Sequence, residues 1–142
     1  MLFTEMLNRN EDFQRLYRLG AFCSLGSALL YVMPNRLPFN RLGITAGKKI
    51  GNAVKRNRAK RIIRAAYAAA EMDMPIGVDL VVVARSSLPA QSSAVLTEAM
   101  RTRGVRHVQG VGSGVIPCGK NNGGAPKTRR VPDKSPQKPA EH

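Results

Sequence analysis

Between Asp12 and Glu71 the chain carries no acidic residue, and within that interval residues 47 to 67 gather eight basic side chains: Lys48, Lys49, Lys55, Arg56, Arg58, Lys60, Arg61 and Arg64. The same stretch repeats Ala59, Ile62, Ile63, Ala66, Tyr67 and Ala70 at three-and-four spacing. That period predicts a helix from about Ala53 with one apolar stripe and the cations on the remaining arc. Asn52 suits its N-cap, and Gly47 and Gly51 suit a turn leading into it. Lys48, Lys49, Lys55 and Arg56 crowd the helix start, where the macrodipole is already positive, so they destabilise the free helix by a few tenths of a kcal/mol each. A phosphate bound there satisfies the exposed N–H groups and the cations together, and the arrangement reads as a polyphosphate site. The plainer reading, a solvated basic face, lacks the interspersed acids such faces carry.

Composition bounds the partner. A net charge of +14 and a pI of about 10.9 call for a polyanion. Nucleic acid fits better than an anionic membrane, because the helix offers Ile62, Ile63 and Tyr67 amid alanines, a face sized for a protein core rather than for lipid. With 142 residues and 5% aromatic content the chain suits one domain of modest core, placed at residues 1–109. Residues 110–142 hold six Gly, five Pro and six Lys or Arg against two acids, and are expected to be a disordered basic tail. Cys23 and Cys118 lie far apart with no histidine pair nearby, so no metal site is expected. The uncharged run from Ala21 to Met33 is too short for a membrane span, and the start lacks the pattern of a signal peptide. A cytoplasmic location is expected.

Along the chain, Asn10 is expected to cap a short helix with Glu11 and Asp12 in its first turn and Gly20 at its end. Phe13, Leu16 and Tyr17 share one face of it. Two readings stay open: a core stripe, or a surface on which unpaired bases stack. Strands are expected near residues 21–25, 28–33 and 41–46, forming an antiparallel meander, with Tyr31 pointing either inward or outward. Val78–Ala84 is an apolar run of strand length and reads as a buried central strand. Ser92 or Ser93 caps a last helix with Val95, Leu96, Ala99 and Met100 on one side, and Gly104 ends or kinks it.

No pair of groups suited to general acid–base catalysis stands out, and the Gly43–Lys49 stretch lacks the ending of a Walker loop. The residues support binding instead. Arg56, Lys60 and Arg64 form one ridge at four-residue spacing, and Arg58 and Arg61 a second beside it. Guanidinium forks suit phosphates, and Asn57 can donate or accept toward a base edge or sugar hydroxyl. Such a helix tracks folded RNA by backbone and shape. A ribosomal structural protein or a DNA-compacting protein shares the charge and size.

Lys49-Ile50-Gly51-Asn52-Ala53-Val54-Lys55-Arg56-Asn57-Arg58-Ala59-Lys60-Arg61 resembles the signature of the protein subunit of bacterial ribonuclease P. The resemblance extends upstream to Asn10-Glu11-Asp12-Phe13 and covers about residues 8 to 105. It implies an α+β fold: a compact two-layer sandwich with a mixed four-stranded sheet in the order α-β-β-β-α-β-α, akin to a ribosomal-protein domain. It also implies a left-handed crossover at the basic helix. It further implies that a catalytic RNA subunit, with magnesium held by that RNA, cuts the 5′ leader from precursor tRNA, while the protein binds no cofactor itself. By matching positions, Lys48, Lys49, Lys55, Arg56, Asn57, Arg58, Lys60, Arg61 and Arg64 would face RNA. Phe13, Tyr17 and Tyr31 would border a cleft for the single-stranded leader. No DNA or membrane partner is implied. The sequence departs from the family in having no basic side chain in residues 1–7 and in its long Gly/Pro-rich tail.

Overall fold

The computed structural model describes residues 1–118. Its elements are β1 (Thr4–Met6), α1 (Asn10–Leu19), β2 (Ala21–Ser24), β3 (Ala28–Pro34), β4 (Asn40–Thr45), α2 (Ala53–Ala70), β5 (Val78–Ala84), α3 (Ser93–Ala99) and α4 (Val105–Gly112), with a π-helical turn, Met100–Gly104, joining the last two. The strands form one mixed sheet in the order β1-β4-β5-β3-β2. β1, β4 and β5 run parallel, whereas β3 is antiparallel to both β5 and β2.

The α+β class and the mixed sheet agree with the reading of the sequence, but the meander does not. β2 and β3 make the expected hairpin, yet β5 inserts between β3 and β4. The apolar run of β5 explains this, since a strand with Val78, Leu80, Val81 and Val82 all at 1% exposure or less needs cover on both faces and neighbours on both edges. There is also a fifth strand. β1 has only three residues and no apolar alternation. Glu71 holds it by accepting bonds from Leu2 N, Phe3 N and Thr4 Oγ1 at 2.7 to 2.9 Å.

Helices lie on both faces of the sheet, so there are three layers where two were expected. Side-chain alternation sorts the core. Leu30, Val32, Leu42, Ile44, Leu80 and Val82 pack with the stripe of α2 and with α3 and α4, and Tyr67 of α2 is fully buried there. Tyr31 and Val81 point the other way and pack with Leu7, Phe13, Leu16 and Tyr17. α1 crosses the sheet closely: a Cβ on Gly43 would lie 2.7 Å from Phe13 Cζ, so only glycine fits.

Helix ends follow the sequence in part. Asn52 Oδ1 accepts from Lys55 N at 3.0 Å, and Gly51 before it adopts a φ of 132°, a turn that side chains resist. Ser92 caps α3. Asn10, however, is the first residue of α1 and not its cap; Arg9 takes that place without a side-chain bond. Gly104 does not end the last helix. The extra residue of the π turn absorbs the register change, and the helix runs on to Gly112 with Val108 and Val111 buried.

The packed structure therefore continues past Gln109, where the domain boundary was read. Ile116 N donates to Gly110 O, and Cys118 Sγ donates to Val32 O at 3.4 Å. The rest of the expected disordered tail, residues 119–142, lies outside the described residues.

Candidate nucleic-acid interface

Because β4 and β5 are parallel, their C-terminal ends share one end of the sheet, and the segments leading into α2 and α3 both start there. The two helices then run back side by side. Gln109 Nε2 donates to the Asp73 carbonyl beyond the end of α2, and a Cβ on Gly112 would lie 3.2 Å from Pro75 Cγ. Both helix N-termini thus point toward the pole that carries Lys48, Lys49, Lys55, Arg56, Arg58 and Arg85. The positive ends of two dipoles add to those cations.

Acids collect at the opposite pole. Glu71 and Asp73 follow α2, Asp79 sits near the start of β5 beside Arg41 of β4, and Asp12 faces the same arginine from α1. Asp79 is buried and accepts from Arg41 Nε at 2.9 Å, from Arg41 Nη2 at 2.6 Å and from Asn35 Nδ2 at 2.7 Å. Its bonds to the Asp79 carboxylate hold the Arg41 guanidinium's pKa above its ordinary value. Burial alone would push the Glu71 carboxyl up, but bonds from Leu2 N, Thr4 Oγ1 and Phe3 N outweigh it and leave its pKa below the ordinary value.

The structure places Lys48 and Lys49, in the turn before α2, and Lys55, Asn57, Arg58, Arg61 and Arg64 on it in solvent, with Arg56 and Lys60 half-buried. The ion pairs among the described residues join Arg9 to Glu11, Arg15 to Asp12, and Arg41 to Asp12 and Asp79. None involves Arg56, Arg58, Arg61 or Arg64. Two of these arginines are instead fixed by carbonyls. Arg56 Nη1 donates to Gly51 O at 2.7 Å, and Arg58 Nε donates to Pro89 O at 2.7 Å. Arg58 thus spends Nε on a neutral acceptor while its side chain stays exposed and outside the ion pairs of the described residues. The sequence held no sign of the Pro89 contact, which depends on the turn Leu88–Ala90 docking beside α2.

The aromatic residues resolve differently. Phe13 is 2% exposed and lies over Gly43, so of its two readings the core stripe holds and its ring is no stacking surface in this structure. Tyr17 and Tyr31 are also buried, with their rings edge to face at 5.3 Å, and Tyr17 Oη bonds Thr45 Oγ1 at 3.0 Å. Tyr31 thus points off the sheet into the smaller core beneath α1. α1 leaves part of that face open, where Phe22, Leu29, Met33 and Val83 are half-buried. Phe22 extends the aromatic row, its ring 5.4 Å from Tyr31. Its cross-strand pairing with Tyr31 was not visible without the register of the hairpin.

His107 is held by the Ala21 carbonyl at 3.0 Å. Among the described residues no three His, Cys, Asp or Glu side chains come together as metal ligands, and no helix is long and apolar enough to cross a membrane.

The family model for ribonuclease P matches residues 1–106. This chain belongs to the ribonuclease P protein family. It is similar to the ribonuclease P protein component of Brevibacillus brevis, 40% identical over 96 residues that span 66% of this chain and 75% of that protein. It is likewise similar to the solved ribonuclease P protein of Staphylococcus aureus, with a TM-score of 0.63 and 29% identity over 75% of this chain and 95% of that one. The ribonuclease P protein of Thermotoga maritima shares the fold, with a TM-score of 0.65 at 24% identity over 73% of this chain and 97% of that one. The basic helix described above is therefore part of an RNA-binding component of a tRNA-processing ribonucleoprotein.

Proposed function

We propose that this chain docks on the catalytic RNA of ribonuclease P through the start and outer face of α2, and helps that RNA remove the 5′ leader from precursor tRNA. The observation that carries the reading is a helix with Arg56 and Arg58 positioned by carbonyls, and with none of its arginines in an ion pair among the described residues, at the end of the molecule where two helix dipoles converge. Arg56 and Arg58 engage phosphates through their forks, Lys48, Lys49 and Lys55 supply charge around the helix start, and Asn57 reaches sugar or base edges. Lys60, Arg61 and Arg64 continue the contact along the helix.

The leader lies along the partly open sheet face beside α1. There Phe22, half-buried, supplies stacking area, and the buried Tyr31 and Tyr17 support its ring from beneath. Magnesium belongs to the RNA in this reading. The described residues offer no ligand set of their own, and the protein's part is to bind and orient RNA.

The purified chain, mixed with catalytic RNA and precursor tRNA at low magnesium, is expected to stimulate 5′ maturation. An absence of stimulation removes the proposal. If about 6 to 10 phosphates are engaged, affinity for the catalytic RNA falls by roughly 10³ to 10⁵ between about 50 and 200 mM monovalent salt. A ribosomal structural protein would leave cleavage unchanged.

A further inference from the structure

The outward side of α2 changes character along its length. Up to Arg64 it presents Lys55, Asn57, Arg58, Arg61 and Arg64 to solvent. Beyond Arg64 the exposed positions are Ala65, Ala68 and Ala69, followed by Met72 in the turn Glu71–Asp73 that continues the helix directly. These four recur at three-and-four spacing, so they form one uncharged stripe on the side opposite the buried Ala66, Tyr67 and Ala70. Met72 is 71% exposed, and Leu2, itself 73% exposed, is brought to the same end of the helix by its N–H bond to Glu71 Oε1.

Alanine is a good helix former, which accounts for a single exposed alanine. It does not account for the loss of charge from a solvent-facing helix surface, or for two bulky apolar side chains left in water beside it. RNA is a poor match for this stripe, which holds no cation and no hydrogen-bonding side chain. A second copy of the chain matches it, because the pattern is self-complementary. Arg64 precedes the stripe and Asp73 follows it, both are exposed, and neither enters the ion pairs of the described residues. Two α2 helices that cross antiparallel about a two-fold axis between Ala68 and Ala69 set each Ala65 against Met72 of the other copy. The same crossing brings each Arg64 toward Asp73 of the other copy, so the charges at both ends are matched. The alanines allow the helix axes to approach to about 8 Å and lose no rotamer freedom when covered. The basic helix starts then lie at the far ends of the pair, where like charges repel least.

We propose that the stripe Ala65, Ala68, Ala69 and Met72 is the contact surface of a homodimer, formed by two antiparallel α2 helices and closed at each end by an Arg64–Asp73 pair. The inference goes beyond the functional reading above and does not depend on it. Arg56 and Arg58 lie clear of the crossing, and the N–H groups of Arg64 that do not face Asp73 stay available to phosphate. A stripe of this size makes a small interface, with a Kd expected at roughly 1 to 100 μM.

Sedimentation equilibrium of the full chain tests this, in about 0.3 M salt to screen the repulsion between two copies of net charge +14. Ala68→Glu sets two carboxylates at the two-fold axis while keeping a good helix former, and is expected to weaken dimerisation about tenfold or more with thermal unfolding unchanged. Asp73→Arg is expected to weaken it about threefold, and the double variant Arg64→Asp/Asp73→Arg to restore it to near the wild-type value, which only a contact between the two positions produces. A wild-type chain that stays monomeric up to about 200 μM overturns the proposal. So does a dimer that Ala68→Glu leaves intact, since that dimer uses another face. Loss of RNA binding by Ala68→Glu in a chain that is monomeric throughout also overturns it and gives the stripe to RNA.

Discussion

Arg41 and Arg58 are the same side chain put to opposite uses at opposite poles. Arg41 is three-quarters buried and closed on Asp79 and Asp12, so its charge is consumed inside the fold. Arg58 spends one N–H on a neutral carbonyl and keeps its charge for something outside. Geometry is controlled in both places, but neutrality only in the first. The contrast separates arginines that hold the protein together from arginines held ready by it, which a count of basic residues cannot do.

The sharpest way to break the contrast is to remove an acid from the closed pole. Asp79→Ala leaves Arg41 half-desolvated without its main partner and is expected to destabilise the fold by about 3 kcal/mol, read by urea unfolding. Arg58→Ala should do the converse. Its effect on unfolding stays near 1 kcal/mol or below, whereas affinity for the catalytic RNA falls about tenfold or more, as expected for loss of charge-assisted bonds. If both variants lower stability equally, the division of labour fails.

A smaller effect tests the cap that aims α2: Asn52→Ala is expected to cost about 1 kcal/mol in thermal unfolding, and less when RNA is bound. Smaller still is a response to acid confined to the N-terminal strand. The folded pKa of Glu71 lies below its unfolded value, so its contribution is present above the ordinary carboxylate range and is lost as pH falls through the lowered value. Protection of the Leu2 and Phe3 amides against exchange, corrected for the intrinsic pH dependence of the rate, should therefore fall in acid ahead of that of the core amides. Glu71→Gln should flatten that pH dependence.

What the sequence disclosed, and what it hid, follows from the range of the interactions. The stripe of α2 was legible residue for residue because helical period and burial coincide, and the Asn52 cap is a contact three residues long. The short β1 was hidden because Glu71, far away in the chain, holds it. The sheet order was hidden because local pattern does not rank neighbours, although the evenly apolar β5 carried a hint of its central place. For the aromatics, spacing named the face they share but not how much of it α1 covers. Phe13 could not be placed until Gly43 was seen beneath it.

The parallel pairing of α2 with the last helix bears on the life of the subunit before assembly. With like poles abutting and basic side chains around them, the free polypeptide lives with self-repulsion that the proposed RNA partner would relieve, so that binding would double as stabilisation. If the proposed docking holds, copies without their RNA would be the less stable and the more open to proteolysis.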